Sequence, residues 1–243
     1  MTSIDENIAE KIIIWDYSSV ANFYNSRPDY AVESISHLLS VDPKRICDIG
    51  AGTGKLTHRL TPFAEVIAVE PNENMRFIGQ SVQGATWICA TAEATGLPNN
   101  HFDLVTFGSS FNVCDKVLAL NEAHRLLNDT GRFACLWNHR DLKDPLQQKI
   151  EEVIVDFLPN YQYGDRRDDQ YGIISTVFNN TKKYIFPFVV ELSSESIANA
   201  WRSHVTLKQQ AGDKFESICE KIHDILPIMV SVPYYTVMWM GHK

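Results

Sequence analysis

Cysteine is sparse, and it is not arranged to bind metal. The five cysteines fall at 47, 89, 114, 135 and 219. No two have CxxC spacing, and no histidine pair completes a zinc pattern. An odd count in mostly apolar surroundings, such as Ile46-Cys47 and Ile88-Cys89, reads as buried free thiols in a reducing cytosol. No stretch approaches about 20 apolar residues, so no membrane span is expected. The opening run MTSIDENIAEKIIIWDY carries acids and only a short apolar stretch, unlike a signal peptide or an Arg-rich transit peptide. The expected location is therefore cytoplasmic. Positive charge is also in short supply: Lys plus Arg is 22 against 30 for Asp plus Glu, a net charge of −8. Such a chain does not grip nucleic acid or an anionic membrane by bulk electrostatics. Repeats and low-complexity tracts are absent.

What is present is globular. Hydrophobic residues make up 44% and charged residues 21% of 243, which excludes a disordered or fibrous protein. Strand-like and helix-like runs alternate from 45 to about 137. Strands are expected at 45–49, 66–70, 87–90, 102–107 and 132–137, with helices at 55–61, 74–81 and 115–127. Asn128-Asp129-Thr130-Gly131 breaks the chain before the fifth strand. Continuous apolar strands between helices predict a parallel sheet covered on both faces. Helices lead in over the first 45 residues. A polar helix at 145–158 and the segment YQYGDRRDDQYG then form an insertion. Further helices are expected from 193 to about 204 and from 212 to 226. Late strands near 184–192 and 234–240 are placed to add an antiparallel pair at the sheet edge.

The central motif is Asp48-Ile49-Gly50-Ala51-Gly52-Thr53-Gly54-Lys55, directly after the first strand. Glycines there let the backbone turn tightly and approach a ligand. A P-loop requires GxxxxGK[ST], and Ile49 and Leu56 break that pattern. A dinucleotide loop requires GxGxxG, and Lys55 stands where the third glycine belongs. Asp48 would also repel a pyrophosphate. S-adenosylmethionine (SAM) has no phosphate and carries a sulfonium and an ammonium, so an acid beside it is favourable. Glu70 ends the second strand, 20 residues after Gly50, where a carboxylate can accept both ribose hydroxyls. Thr91-Ala92-Glu93 follows the third strand, at the sheet edge where an adenine would lie.

With these residues the chain resembles the class I SAM-dependent methyltransferases of the small-molecule type 11 group. The matching stretches are CDIGAGTGKLT, VIAVEPNENM, ATAEATGLPNNHFDLVTFGSS, EAHRLLNDTGRFACLWNHRD and VPYYTVMWM, with FYNSRPDY resembling the lead-in helix. The resemblance implies an α/β, Rossmann-like, doubly wound seven-stranded sheet with the last strand antiparallel. It implies SAM contacts at Gly50, Ala51, Gly52, Glu70, Pro71, Met75, Ala92, Glu93 and Gly108, beside Asp48. Tyr17, Tyr24 and Arg27 would close over the cofactor. Many relatives carry an aromatic-His-Trp run where this chain has Phe111-Asn112-Val113. That run borders the acceptor, so the change points to a specialised substrate.

One methyltransferase domain is expected over 1–243. Residues 1–44 would be lid helices, 45–140 the SAM-binding core, 143–184 the substrate-side insertion and 185–243 the sheet completion. His139, just past the fifth strand, is placed either to take a proton from the acceptor or merely to bond loop backbone. Asn112, Trp137, Tyr171 and His204 are the candidate acceptor contacts, with Asn112 equally suited to capping the next helix. Met75 suits either the core or the cofactor. Phe157, Tyr161, Tyr163, Tyr171, Phe178 and Tyr184, with Trp15, Tyr17, Phe23 and Tyr24, would supply a dry lid over a planar or apolar acceptor, or an ordinary core. The mixed charges of Asp165-Arg166-Arg167-Asp168-Asp169 read as a solvated loop.

The reaction expected is methyl transfer from SAM to an O, N, C or S nucleophile of a small molecule, leaving S-adenosylhomocysteine, without a metal. The expected state is a monomer or homodimer, with no nucleic-acid or membrane partner. Three readings compete: an NAD-dependent oxidoreductase, a non-catalytic SAM-binding scaffold, and a tRNA or protein methyltransferase.

Overall fold

A computed structural model describes residues 20–243. Seven strands form one sheet: β1 (Arg45–Ile49), β2 (Glu65–Val69), β3 (Ala85–Ile88), β4 (Phe102–Gly108), β5 (Leu127–Arg140), β6 (Asn179–Ser193) and β7 (Met229–His242). Their order is β3-β2-β1-β4-β5-β7-β6. The pairs among β1 to β5 are all parallel. β7 runs antiparallel to both β5 and β6. The chain thus steps outward from β1 to β3, then crosses to β4 on the other side. Crevices form where the order reverses, at the carboxyl ends of β1 and β4.

The buried apolar residues of the strands divide by the two-residue period of a pleat. Cys47, Ile49, Val105, Phe107 and Phe133 face one layer. Ile46, Leu104, Ala134 and Leu136 face the other. The first layer is filled by α5 (Lys116–Leu126), whose buried face includes Ala119, Leu120, Ala123 and Leu126. The second is covered by α2 (Val32–Leu39) and α3 (Thr57–Leu60), after the short α1 (Ala21–Tyr24). A third cluster joins α6 (Pro145–Phe157), α8 (Ser194–Arg202), α9 (Val205–Ala211) and α10 (Phe215–Asp224) through Ile150, Ile154, Trp201, Leu207, Phe215 and Ile222. The expected insertion therefore contributes a packed helix as well as a loop.

Helix starts follow their caps. Asp115 accepts from the Leu118 amide, Asp144 precedes Pro145 and accepts from Leu146 and Gln147, and Ser193 accepts from Ser196. The helix expected at 55–61 shrinks to four residues because the glycine loop occupies its first turn. The one expected at 74–81 is α4 (Glu73–Gly79), capped by Asn72. The break expected at 128–131 appears as a register shift. Phe102 pairs with Leu127, but Leu104 pairs with Arg132, so the intervening residues bulge out of the ladder.

The late strands run well beyond their expected bounds. Lys182, Lys183 and Pro187 hide the length of β6, yet an outer strand tolerates both charge and proline. Pro233 sits in β7 just beyond the last β5 pair, where its carbonyl accepts from Asp141. All five cysteines are free; Cys47, Cys135 and Cys219 are buried. Cys89 corrects the expectation: just past the end of the edge strand β3, it is exposed.

Candidate functional site

A cavity of about 500 Å³ opens at the carboxyl ends of β1, β2 and β4. Its floor is the glycine loop. Gly50 and Ala51 both donate from the backbone to the Val69 carbonyl, at 2.8 and 3.0 Å, tying the loop to the end of β2. Gly50 has φ +66°, and a Cβ there would lie 2.4 Å from Ser110 Cβ. Ser110 in turn donates to the Ile49 carbonyl at 2.7 Å. Only glycine meets both demands, left-handed backbone and close approach. Gly108 is confined as well: a side chain there would press on Leu56 and the Tyr30 hydroxyl.

Two acids organise the floor. Asp48 is fully buried and accepts from the Thr57 hydroxyl at 2.7 Å and the Thr106 hydroxyl at 2.9 Å. It thereby joins β1 to α3 and β4. Burial pushes its carboxyl up to about 6, against the opposing pull of those hydroxyls. Glu70 accepts from the Gly52 amide at 2.8 Å through one oxygen and from the Asn72 amide at 2.8 Å through the other. Burial raises its carboxyl too, and the two amides oppose the rise. The carboxylate is thus held in one orientation before any ligand arrives, with lone pairs left for two hydroxyl donors.

The walls gather most of the positions singled out by sequence. Pro71, Met75 and Gly52 line the cavity on the β2 side, and Ala92 and Glu93 beyond β3. Met75 is also buried, its Cε within 3.3 Å of a Cβ built on Gly52, so it serves core and cavity together. Tyr24 and Arg27 close the opposite side. Tyr17 lies outside the described residues. Arg27 stacks 4.2 Å above the Tyr24 ring and donates to the Ser203 hydroxyl and carbonyl at 2.7 and 2.8 Å.

His139 and His204 reach the cavity at its far end. Burial and the charges of Arg167, Arg166 and Lys183 push His139 down to about 3. Burial and those charges disfavour the protonated ring, so the imidazole is neutral near pH 7. His204 stacks on Trp201 at 4.7 Å and is likewise held well below its ordinary value, by burial and then Arg27.

Three acceptor candidates lie off the cavity. Trp137 is buried in the first layer beneath Phe111 and donates to Asn112 Oδ1 at 2.9 Å. The pair satisfy each other, because Trp137 sits two residues short of His139 and the 111–113 segment covers it. Tyr171, in the single turn α7 (Tyr171–Ile174), is 52% exposed, and Ile174 is the buried member of that turn. Part of the aromatic lid is core instead: Phe178 is buried against Phe133, while the half-buried Phe157 and Tyr161 pack on the helical cluster. Trp15 lies outside the described residues.

Sequence reasoning missed Arg166 and Arg167, which line the cavity although the segment reads as a solvated loop. It also missed Tyr30, Asn138 and Tyr234, which line the cavity as well. Alternation along β5 and β7 places Asn138 and Tyr234 at the rim but carries no chemical signature, and Tyr30 comes from the segment before α2.

Residues 47–135 match the family described as a methyltransferase domain. An uncharacterized methyltransferase of Mycobacterium tuberculosis is 33% identical over 139 residues, covering 56% of this chain and 57% of that protein. The chain thus spans little more than half the length of that relative. A ubiquinone/menaquinone biosynthesis C-methyltransferase of Pasteurella multocida is 27% identical over 187 residues, 63% and 69% of the two chains. A putative type II methyltransferase structure from Anaeromyxobacter dehalogenans superposes with a TM-score of 0.66 at 18% identity, covering 89% and 97%. That last likeness is one of fold.

Proposed function

We propose that the chain is a class I SAM-dependent methyltransferase that methylates a small molecule in the cavity described, a reading supported by the methyltransferase-domain match over residues 47–135 and by the methyltransferase relatives. The observation that carries the reading is Glu70, fixed by the Gly52 and Asn72 amides at the end of β2. A carboxylate so oriented is built to take a pair of ribose hydroxyls. The pocket fits SAM in other respects. The Gly50 and Gly52 backbone would lie against the ligand, where a side chain on either would be strained. Ala92 and Glu93 would flank the adenine, Pro71 and Met75 would pack on the nucleoside, and Gly108 would leave room beside it. Arg27 and Tyr24 would hold the methionyl carboxylate, and Asp48 would favour the cationic groups.

SAM, when bound, supplies a methyl already activated by its sulfonium. The chain's own contribution is then to position the acceptor and exclude water. His139 and His204, both neutral, shape the acceptor end and can orient a polar group by hydrogen bonding. Asn112, Trp137 and Tyr171 stand outside the cavity lining.

Calorimetric titration with SAM, S-adenosylhomocysteine and NAD in parallel tests the reading. Micromolar binding of both adenosyl ligands without NAD is expected. Binding of NAD alone would overturn it. Binding of the adenosyl ligands without turnover on any acceptor would favour a scaffold.

A further inference from the structure

The acceptor end of the cavity is cationic, and its charge is not neutralised from within. Arg166, Arg167 and His139 line the main cavity and also a second one of about 340 Å³, which continues past them to Lys183, Tyr235 and Trp239. That volume is near the lower end of those that hold small ligands. Among the described residues neither Arg166 nor Arg167 forms an ion pair, and the Nε of each is sealed from solvent without a hydrogen-bond partner. Arg167 reaches only the Tyr235 hydroxyl, at 3.5 Å.

The neighbouring acids are committed elsewhere. Glu151 pairs with Arg140 at 2.7 Å, and Asp165 with Lys116 at 2.5 Å. Asp168 lies on the rim of the second cavity and is exposed. Burial and the nearby charges of Arg27, Arg140 and Arg167 lower Arg166 to about 10, and it stays charged at neutral pH. Like charges crowded together with unsatisfied donors are costly unless something anionic meets them.

We propose that the methyl acceptor carries an anionic group, a carboxylate or a phosphate, which Arg166, Arg167 and Lys183 receive beyond His139. The proposal rests on the methyltransferase reading for its statement that the anion belongs to the acceptor. It replaces the planar or apolar acceptor expected from the aromatic residues, because among the described residues only Tyr24 of that set lines the main cavity. Arginine suits the task, since its planar fork meets the two oxygens of a carboxylate or phosphate at once. Neutral His139, between the two cavities, is free to donate or accept a further hydrogen bond without adding charge.

The test is calorimetry on the full chain, bare and saturated with S-adenosylhomocysteine, using benzoate, benzamide and inorganic phosphate as probes. Benzoate or phosphate should bind at least tenfold more tightly than benzamide. Preference for benzoate identifies a carboxylate, and preference for phosphate a phosphoryl group. Arg166→Gln should weaken the favoured anion about tenfold while leaving S-adenosylhomocysteine affinity within twofold. Lys183 is exposed, with its ammonium 4.9 Å from the centre of the Trp239 ring, so Lys183→Gln keeps the fold and should weaken the anion severalfold. Equal binding of all three probes, binding of none, or anion binding indifferent to both substitutions would overturn the proposal. Failure of S-adenosylhomocysteine to bind would instead remove the methyltransferase reading. The titrations on bare protein would still show whether the arginines hold an anion.

Discussion

Arg27 and Ser203 are 176 positions apart and joined by two hydrogen bonds, 2.7 Å to the hydroxyl and 2.8 Å to the carbonyl. The link ties the segment after α1 to the end of α8, and both flank the cavity. One wall of the site thus depends on sequence-distant parts of the chain.

Arg27→Ala should loosen that wall. A charged hydrogen bond contributes roughly 1.5–3 kcal/mol, so S-adenosylhomocysteine affinity should fall by about tenfold or more. Amide hydrogen exchange at residues 20–27 should quicken. Ser203→Ala should be milder, because the Ser203 carbonyl still accepts. Equal effects of the two substitutions would show that the hydroxyl alone makes the link.

Removing the Glu70 carboxylate should cost twice over. Glu70→Ala leaves the Gly52 and Asn72 amides without their acceptor, at about 1–3 kcal/mol for each group that stays buried. It also removes the acceptor for ribose hydroxyls. SAM binding measured by calorimetry should become undetectable, while Glu70→Gln, keeping one acceptor oxygen, should retain weak binding.

Gly50→Ala should be worse than an ordinary surface change. The residue has φ +66°, and the added carbon would meet Ser110 at 2.4 Å. Forced left-handed backbone alone costs about 1–3 kcal/mol. Pairing it with Ser110→Gly should recover part of the lost melting temperature but not all of it, since the backbone strain remains.

Asp48 and His139 should give opposite pH signatures. The folded Asp48 carboxyl sits at about 6 against 3.8 for an unperturbed group, so the fold binds the extra proton between those values. Its contribution to stability declines as pH rises through that window, by ~3 kcal/mol in all. Asp48→Asn should therefore raise the melting temperature at pH 8 more than at pH 4. The folded His139 sits at about 3 against 6.5, so the unfolded chain takes the proton first. That contribution is lost as pH falls from 6.5 toward 3, and His139→Gln should flatten the acid side of the curve. With His139 neutral throughout, the shape of the rate profile between pH 6 and 9 should be the same in this variant.

The parts of the site legible in sequence are those set by a strand end. Asp48, Gly50, Gly52 and Glu70 lie at fixed distances from β1 and β2, and backbone geometry carries them to the cavity. The sheet was legible for the same reason, since β1 to β4 are short and largely apolar and α5 buries a periodic face. Arg166 and Arg167 were not. Their alternating neighbours look solvated, and they are brought to the cavity by a loop between α6 and α7 whose path depends on distant packing. Trp137 misled because a strand's alternation tells the face but not the depth. His139, two residues on, reaches the open end, while Trp137 is closed off by Asn112.

β6 touches the sheet only through β7, which pairs with β5 on its other edge. The order of assembly is therefore constrained: β6 has no ladder to join until β7, some 36 residues further on, is in place. Closing that loop costs entropy before any pairing repays it. Completion of this edge should be the slow phase of folding. While it lasts, β7 is an open template for a β6 segment from any copy of the chain, and refolding at high concentration should favour exchange of that strand between molecules.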